Sequence, residues 1–353
     1  MTTAQALFEG HGDWLAHTLA PGEQTCADVS VSLAGGQLRR PGTGLLHYQP
    51  DQHCPGAPAL ILSAGIHGNE TAPIELLNAL VNGIVTDHIQ PAIPLLLILG
   101  NPPAMIAAER FMDHNLNRLF CGAWRDYPDC HETRRAAQLE TACHGFRKQH
   151  RGPLRHYDLH TAIRPSRREK FALYPFMEDR QPPDTELAFL TEAGIDTLLL
   201  QHGHGTTFSS FTSEQLDAQS FTLELGKVHP FGQNDLTRIA DLEAALSRLI
   251  RNEPATPASD GQPPDTFEVV HEILNTGDHF QFHIADDVAN FTEYPPGTLI
   301  WEDDTTAYRV GAGPEAIVFP NPRVPVGHRV GLMVTKRPGE SKNPNGDEIP
   351  PLP

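Results

Sequence analysis

The chain alternates short apolar runs with longer segments in which apolar residues recur at helical spacing. The short runs end at Gly, Asn or His and cover residues 59–64, 93–99, 154–159, 196–201 and 220–225. Runs of this kind are typical of strands buried on both faces of a sheet. Between them, helical periodicity predicts helices over residues 71–81, 134–148 and 185–193. This alternation predicts an α/β fold, with a mixed, largely parallel sheet and helices on both faces.

The pattern changes after residue 252. Residues 253–265 are rich in Pro, Asp, Gly and Ser, which predicts a linker. Beyond it, short apolar runs separated by Gly, Pro and Asp predict a smaller C-terminal all-β domain over residues 266–337. Residues 338–353 are polar and Pro-rich, and we expect them to be disordered. Near the other end, residues 25–48 contain short alternating segments broken by Gly35-Gly36 and Pro41-Gly42, which predicts a leading hairpin within the first domain, residues 1–252.

Composition narrows the class of protein. No apolar run approaches the ~20 residues of a membrane span, and residues 1–20 lack the basic and apolar stretches of a secretory signal. The five cysteines are odd in number and lack CxxC spacing, so we expect free thiols in a reducing cytoplasm. A net charge of -18 disfavours nucleic acid as a partner. We therefore expect no nucleic acid and no membrane partner, and the sequence leaves an oligomer possible.

One basic stretch stands out on this acidic chain. Arg164, Arg167, Arg168 and Lys170 follow one another closely. A small anionic substrate would need such a local cationic pocket, whereas a solvated loop is the structural alternative.

Two segments, far apart in sequence, indicate a metal site. His67 and Glu70 lie three positions apart at a turn between a predicted strand and helix, and His160 lies at the end of another predicted strand. The carboxyl ends of strands in an open α/β sheet are where ligands bind. Two His and one Glu are a standard ligand set for catalytic zinc, with a fourth position left for water. Alternatively, His67 is a turn residue and Glu70 only favours the helix dipole.

Two further carboxylates accompany this set. Asp158 lies two residues before His160, on the same face of the strand, where it could accept the second imidazole N–H or simply pair with backbone. Glu224 interrupts an apolar strand, and a buried charge needs a partner or a function. Facing a metal, Glu224 could act as the general base; otherwise it forms a salt bridge to Lys227 or an arginine.

Other residues at predicted strand ends offer related chemistry. His202 and His204 are a rival metal pair without a carboxylate neighbour. Asn101, Arg110 and the segment 114–120, which contains Asn117 and Arg118, supply amide and guanidinium groups suited to binding carboxylates or an oxyanion.

Taken together, the order of these motifs resembles the zinc carboxypeptidase-like succinylglutamate desuccinylase and aspartoacylase family. The matching motifs are HxxE at 67–70, NxxA at 101–104 with a following Arg, NR at 117–118, DLHT at 158–161 and ELG at 224–226. Segments 157–163, 171–176 and 221–235 look most like the desuccinylase branch, and the resemblance covers about residues 55–335. It implies a cytoplasmic, zinc-dependent amidohydrolase that releases succinate and L-glutamate from N-succinyl-L-glutamate, the last step of arginine catabolism through succinylated intermediates.

The resemblance also implies roles for individual residues. His67, Glu70 and His160 match the ligands of one Zn²⁺ per subunit, and Glu224 matches the general base. Arg110 matches the group that stabilises the oxyanion, while Asn117 and Arg118 match the residues that clamp a substrate carboxylate. Arg164 is a further substrate-binding candidate, and Asp158 is expected to support His160. Asn115 departs from the family pattern, in which Asp is common, and this bears on the support of Arg118.

Two alternatives stay open from the sequence. A deacylase of another N-acyl amino acid, of the N-acetylaspartate or N-acetyldiaminobutyrate type, would keep the metal centre and alter the pocket. A metal-dependent binding protein without catalysis is the second alternative, although binding alone gives no reason for Glu224. His and carboxylate ligands also admit cobalt or manganese.

Overall fold

The computed structural model describes residues 6–20, 28–52, 56–254 and 262–338. A thirteen-stranded sheet runs through the molecule in the order β1-β2-β3-β5-β4-β6-β9-β7-β8-β10-β16-β15-β12. The strands of the first domain are β1 Val29–Leu33, β2 Gly36–Gly42, β3 Leu45–Pro50, β4 Ala59–Ala64, β5 Leu95–Leu99, β6 Leu154–Ala162, β7 Lys170–Tyr174, β8 Thr197–Leu200 and β9 Gln219–Lys227. The predicted leading hairpin is present as β1 and β2 from residue 29 onward, and residues 25–27 lie outside the described part.

Helices connect the strands, as the periodicity predicts. They are α1 Trp14–Thr18, α2 Thr71–Val85, α3 Pro102–Ala107, α4 His131–Gln149, α5 Asp184–Glu192, α6 Phe208–Leu216 and α7 Ala240–Ile250, with short 3-10 turns at Leu116–Arg118, Ala123–Asp126 and Leu236–Ile239. Leu60, Leu62 and Ala64 of β4 belong to the same hydrophobic core as residues of α2, α5 and α7. Ala59 and Ile61 of the same strand belong to a second core, with residues of α4 and α6. Both faces of the sheet are therefore covered, and the mixed α/β class is confirmed.

The central strands β5, β4, β6 and β9 are parallel, and β7 is antiparallel to β9. No pattern in the sequence predicted β7. Because β8 is parallel to β7, β8 ends at the edge opposite to the carboxyl ends of β4, β6 and β9. His202, which follows β8, therefore lies at the opposite edge of the sheet from His160 and Glu224. The expectation that all three residues share one edge is wrong.

The C-terminal part is built of strands, as predicted. They are β10 Asp265–Leu274, β11 Gln281–Phe282, β12 Thr292–Tyr294, β13 Leu299–Glu302, β14 Ala307–Arg309, β15 Glu315–Val318 and β16 Arg329–Lys336. β11, β13 and β14 form a small separate sheet, whereas β10 pairs in parallel with β8 and continues the large one. The boundary between the two domains stays a prediction.

Some predictions fall on residues that the structure does not describe. Residues 255–261 of the predicted linker, residues 339–353 of the predicted tail, Cys26 and Cys54 lie outside the described ranges. Within those ranges, Cys121, Cys130 and Cys143 are free thiols. In the described part of the chain, no helix combines the length and apolar character required to cross a bilayer.

Candidate metal centre

The turn between β4 and α2 carries His67 and Glu70 and packs closely against α3. A Cβ on Gly68 would lie 2.1 Å from the backbone carbon of Ala104, a distance that no side chain tolerates. Gly65 has a φ of +68°, in the left-handed region that favours glycine. Both glycines therefore let the backbone turn tightly, which brings His67 and Glu70 to the edge of the sheet.

His67, Glu70 and His160 converge at that edge. Their potential ligand atoms all lie within 4.8 Å of one another, and the three residues are only 2–3% exposed. The two oxygens of Glu70 are divided between the imidazoles: Oε1 lies 2.8 Å from Nδ1 of His67, and Oε2 lies 2.8 Å from Nδ1 of His160. The backbone N–H of Thr161 also donates to Oε2, at 3.1 Å.

The outer nitrogen of each imidazole has its own acceptor. Nε2 of His160 lies 2.8 Å from a carboxylate oxygen of Asp158, which can only accept, so Nε2–H donates. Nε2 of His67 lies 2.9 Å from Oδ1 of Asn115, and the backbone N–H of Asn117 donates to that same oxygen at 3.1 Å. Nε2 of His67 is therefore also the donor. In the neutral tautomers, both Nδ1 atoms carry a lone pair.

The Nδ1 atoms of both imidazoles face the carboxylate of Glu70. Although burial opposes protonation, the carboxylates of Asp158 and Glu70 raise the pKa of His160 well above its usual range in the metal-free fold, so its Nδ1–H donates to Glu70 there. Nδ1 of His67 is buried and forms no hydrogen bond, although it lies 2.8 Å from Glu70. Burial lowers the pKa of His67 to about 4, so this imidazole stays neutral and its Nδ1 lone pair is available to a metal. Although burial opposes ionisation, both imidazoles hold the pKa of Glu70 well below its usual range. Two imidazole nitrogens and one carboxylate fit a divalent metal such as zinc.

Glu224 lies beside this ligand set. It pairs with His160 in the parallel register of β6 and β9, so the two side chains share a face of the sheet. Glu224 is 9% exposed, and its Oε2 is buried without a hydrogen-bond partner. Burial and the charge of Glu70 raise its pKa to about 7. The predicted salt bridge to Lys227 or an arginine is not among its described contacts, and a pKa near neutrality suits a group that both accepts and returns a proton.

Two arginines, Arg110 and Arg118, lie near the ligand set. Nη1 of Arg110 donates to Oε1 of Glu70 at 2.7 Å. Arg118 is solvent-accessible, and its Nη1 donates to the carbonyl of Asn117 at 2.9 Å. Burial and the charges of Arg329 and Arg110 nevertheless lower the pKa of Arg118 to about 10. Asn117 is buried, and its Oδ1 accepts from the first amide of α6 at 2.9 Å.

The basic stretch after His160 contacts other parts of the molecule. Arg164 donates to the carbonyl of Asp286 in the C-terminal domain. Nε of Arg167 donates to Thr292 at 3.1 Å, and Arg168 pairs with Asp265 at 2.9 Å. No described contact joins Arg164 to His67, Glu70 or His160, so its role in substrate binding stays a prediction.

The rival histidines do not converge. His202 lies 3.5 Å from Glu272, whereas His204 lies 3.0 Å from Glu214. Each imidazole is thus paired with a different glutamate, and the pair is not among the described groups that could hold a metal.

Two residues near the centre were missed by sequence reasoning. Asn115 was connected with Arg118, yet its side chain supports His67. Arg329, the first residue of β16, brings a cation from the C-terminal domain close enough to act on Arg118. Its nearest described carboxylate is Glu272, at 3.9 Å. No local pattern around residue 329 indicates this role, because it depends on how the two domains pack.

The chain is similar to known proteins over most of its length. The family model of the succinylglutamate desuccinylase/aspartoacylase catalytic domain matches residues 56–250, and that of the AstE/AspA barrel-sandwich hybrid domain matches residues 262–337. Succinylglutamate desuccinylase from Pseudomonas paraeruginosa is 44% identical, covering 92% of this chain and 97% of its own.

Solved structures extend the similarity to the fold. The enzyme of that name from Vibrio parahaemolyticus has a TM-score of 0.86 at 32% identity, covering 92% of this chain and 95% of its own. The one from Chromobacterium violaceum has a TM-score of 0.82 at 36% identity, covering 93% and 99%. The chain belongs to the succinylglutamate desuccinylase and aspartoacylase family.

Proposed function

We propose that this protein hydrolyses the amide bond of N-succinyl-L-glutamate to succinate and L-glutamate, and that it requires zinc. The observation that carries the proposal is the convergence of Nδ1 of His67 and Nδ1 of His160 on the carboxylate of Glu70, each at 2.8 Å, beside the carboxylate of Glu224. Metal-dependent hydrolysis needs both a ligand set and a base. The names of the similar proteins support the choice of substrate.

His67, Glu70 and His160 would hold the ion. When bound, zinc supplies a Lewis acid that polarises a carbonyl and lowers the pKa of water. Asp158 and Asn115 keep each imidazole in the tautomer that offers Nδ1, which is the usual role of groups behind metal ligands.

Glu224 is the proton carrier of the proposed reaction. Its carboxylate takes a proton from the attacking water and returns it to the departing amine of glutamate. A pKa of about 7 lets one group do both near neutral pH, because neither protonation state is strongly favoured.

The arginines near the metal centre are the reason for proposing a substrate that carries several carboxylates. Among the residues that the structure describes, no carboxylate lies within ion-pair distance of Arg118, and Arg329 has only the distant Glu272. N-succinylglutamate carries three carboxylates, which suits a site with two neighbouring cations, Arg118 and Arg329, and Asn117 beside Arg118. Arg110 uses one N–H on Glu70; its other donors are available to the charge that develops on the carbonyl oxygen.

In the cell, this reaction would be the last step of arginine catabolism by the succinyltransferase pathway, in the cytoplasm. Succinate and glutamate would be the products released by this last step.

A paired assay tests the proposal. Metal content of the purified protein is measured, and release of free amine is followed from N-succinylglutamate, N-acetylglutamate, N-acetylaspartate and N-acetyldiaminobutyrate. We expect zinc near one equivalent, activity that is lost with a chelator and restored by zinc, and the highest kcat/KM for N-succinylglutamate. A higher kcat/KM for an acetylated compound would reject the proposed substrate, and activity in metal-free protein would reject the proposed chemistry.

The rival histidine gives a matched control. His160→Ala removes a ligand and should abolish both zinc binding and turnover. His202→Ala removes a half-exposed imidazole paired with Glu272 and should change neither.

A further inference from the structure

One face of β6 carries a line of buried polar side chains that continues beyond the metal centre. His156, Asp158 and His160 occupy alternate positions of the strand, so they share a face, and none is more than 2% exposed. Ser63 lies directly opposite Asp158 on the neighbouring strand β4 and is 0% exposed. Ser63 interrupts the otherwise apolar run of β4.

These side chains are joined by short hydrogen bonds. The hydroxyl of Ser63 donates to Oδ1 of Asp158 at 2.6 Å. Nε2 of His156 lies 2.8 Å from the same hydroxyl oxygen, and Nδ1 of His156 lies 2.7 Å from Oγ1 of Thr212 on α6. The line therefore starts at helix α6, crosses two strands and ends at His160.

The number of protons on these side chains determines which group donates in each hydrogen bond of the line. Asp158 lies between His160 and Ser63, and a carboxylate oxygen can only accept, so Ser63 gives its only proton to Oδ1 of Asp158. Nε2–H of His156 then donates to Ser63, and Nδ1 of His156 accepts the proton of Thr212. The reverse tautomer of His156 would take the proton of Ser63 and leave two acceptors 2.6 Å apart, which is unfavourable in a buried site.

The hydrogen bonds of this line hold the carboxylate of Asp158, which supports His160. Oδ1 of Asp158 is held by Ser63, and Oδ2 accepts from Nε2 of His160. With both oxygens engaged, the plane of the carboxylate is fixed, and with it the tautomer and orientation of His160. Burial lowers the pKa of His156 to about 4, which keeps that imidazole neutral and the donor order unchanged near neutral pH.

We propose that Ser63 and His156 are positioning residues of the metal centre: they hold the Asp158 carboxylate so that His160 presents its Nδ1 toward Glu70 and the metal. The inference deepens the metal-dependent function proposed above and rests on it. Neither residue touches the ligand set, and both act through Asp158.

The first experiment measures metal affinity of the full chain. Zinc affinity of Ser63→Ala is determined by competition with a chromophoric chelator at fixed pH, together with thermal unfolding of the metal-free protein. We expect zinc affinity to fall about tenfold, the lower end of what the loss of groups behind a ligand produces. We expect a loss of stability as well, because Asp158 and His156 each lose a partner.

Tyr157→Phe is the matched control. Tyr157 is equally buried, sits between His156 and Asp158 on the opposite face of β6, and its hydroxyl donates to Glu186 at 2.5 Å. This variant removes a buried hydroxyl from the same strand without touching the line. It should lose stability and keep its zinc affinity.

A double-mutant cycle tests whether Ser63 acts through Asp158. In an Asp158→Asn background, Ser63→Ala should change zinc affinity less than twofold, since the carboxylate that it positions is gone. At the far end of the line, Thr212→Val should weaken zinc binding, whereas Thr212→Ser, which keeps the hydroxyl, should not. This pair supplies the test if Ser63→Ala does not fold.

Distinct outcomes overturn distinct claims. If the unaltered protein binds no zinc, the proposed function fails and takes the inference with it. If the protein binds zinc and hydrolyses N-succinylglutamate, three results reject the inference alone. They are an affinity for Ser63→Ala within twofold of the unaltered protein, an equal loss in Tyr157→Phe, and simple additivity in the cycle.

Discussion

Glu224→Gln should separate stability from catalysis in this protein. The substitution keeps the shape of the side chain and removes its ionisation. In the metal-free protein, Glu224 is buried with Oε2 unpartnered, and burial together with the charge of Glu70 raises its pKa from 4.5 to about 7. A buried carboxylate without a partner destabilises the fold whenever it is ionised.

The size and sign of the effect follow from linkage. The folded state binds the proton of Glu224 more tightly than the unfolded state does, so the penalty is absent below about pH 4.5 and complete above about pH 7. The change from 4.5 to about 7 corresponds to about 3 kcal/mol at about 1.4 kcal/mol per pKa unit. A glutamine amide has its own need for partners in that site, so we expect Glu224→Gln to gain about 1 to 3 kcal/mol at pH 8 and little at pH 5.

The assay is urea unfolding of chelator-treated protein at both pH values, with turnover of N-succinylglutamate measured separately in zinc. We expect kcat to fall about 10²- to 10⁴-fold, the usual contribution of a general base, with zinc content unchanged. Glu315→Gln is the control: Glu315 is also buried, but both of its oxygens accept hydrogen bonds, from Tyr308 and from the amide of Gly311. It should not be stabilised, and its kcat should be unchanged.

Two results would refute the reasoning about Glu224. A variant with kcat close to that of the unaltered protein would remove the residue from the chemistry. A Glu224→Gln protein that is less stable than the unaltered one at pH 8 would mean that the ionised carboxylate is well accommodated in the metal-free fold.

Three further predictions concern other parts of the molecule. Arg329→Gln should raise KM for N-succinylglutamate at least tenfold with a smaller change in kcat. Arg323→Gln, which alters an 84% exposed side chain of the same domain, should leave both unchanged; equal effects would exclude Arg329 from substrate binding. Asn115→Ala should weaken zinc binding about tenfold in a chelator competition, and an unchanged affinity would show that His67 needs no support. Burial lowers the pKa of His47 to about 4, so the unfolded state binds the proton of this imidazole at a higher pH than the folded state does. The free energy of unfolding should therefore fall by up to about 3 kcal/mol as the pH drops from 6.5 to 4. His47→Phe should flatten that part of the pH profile, measured by thermal unfolding.

Much of the central sheet could be predicted from the sequence. Residues 59–64 form β4 as predicted, because a run of six apolar or small residues can only be accommodated where both faces are buried. The helix predicted at 71–81 exists and extends to Val85. The strand at Lys170–Tyr174 was missed, since it is short and begins with a basic residue, and its antiparallel pairing with β9 reverses the direction of β8.

For the site, residue types and their spacing were enough to select His67, Glu70, His160, Asp158 and Glu224. A carboxylate in an apolar strand and a histidine at a strand end are improbable without a purpose, and that improbability is visible in a single sequence. Proximity among them is not visible, because it depends on the register that sets His160 beside Glu224 and Ser63 opposite Asp158.

The sequence by itself determined the alternation of strands and helices and the residue types able to bind a metal, because both depend on local pattern and side-chain chemistry. Only the tertiary structure decided that Asn115 supports His67, that Arg164 contacts the C-terminal domain, and that the charge of Arg329 acts on Arg118. These contacts join segments separated by tens to hundreds of residues. Their partners are chosen by packing across the sheet and between domains, which no local pattern encodes.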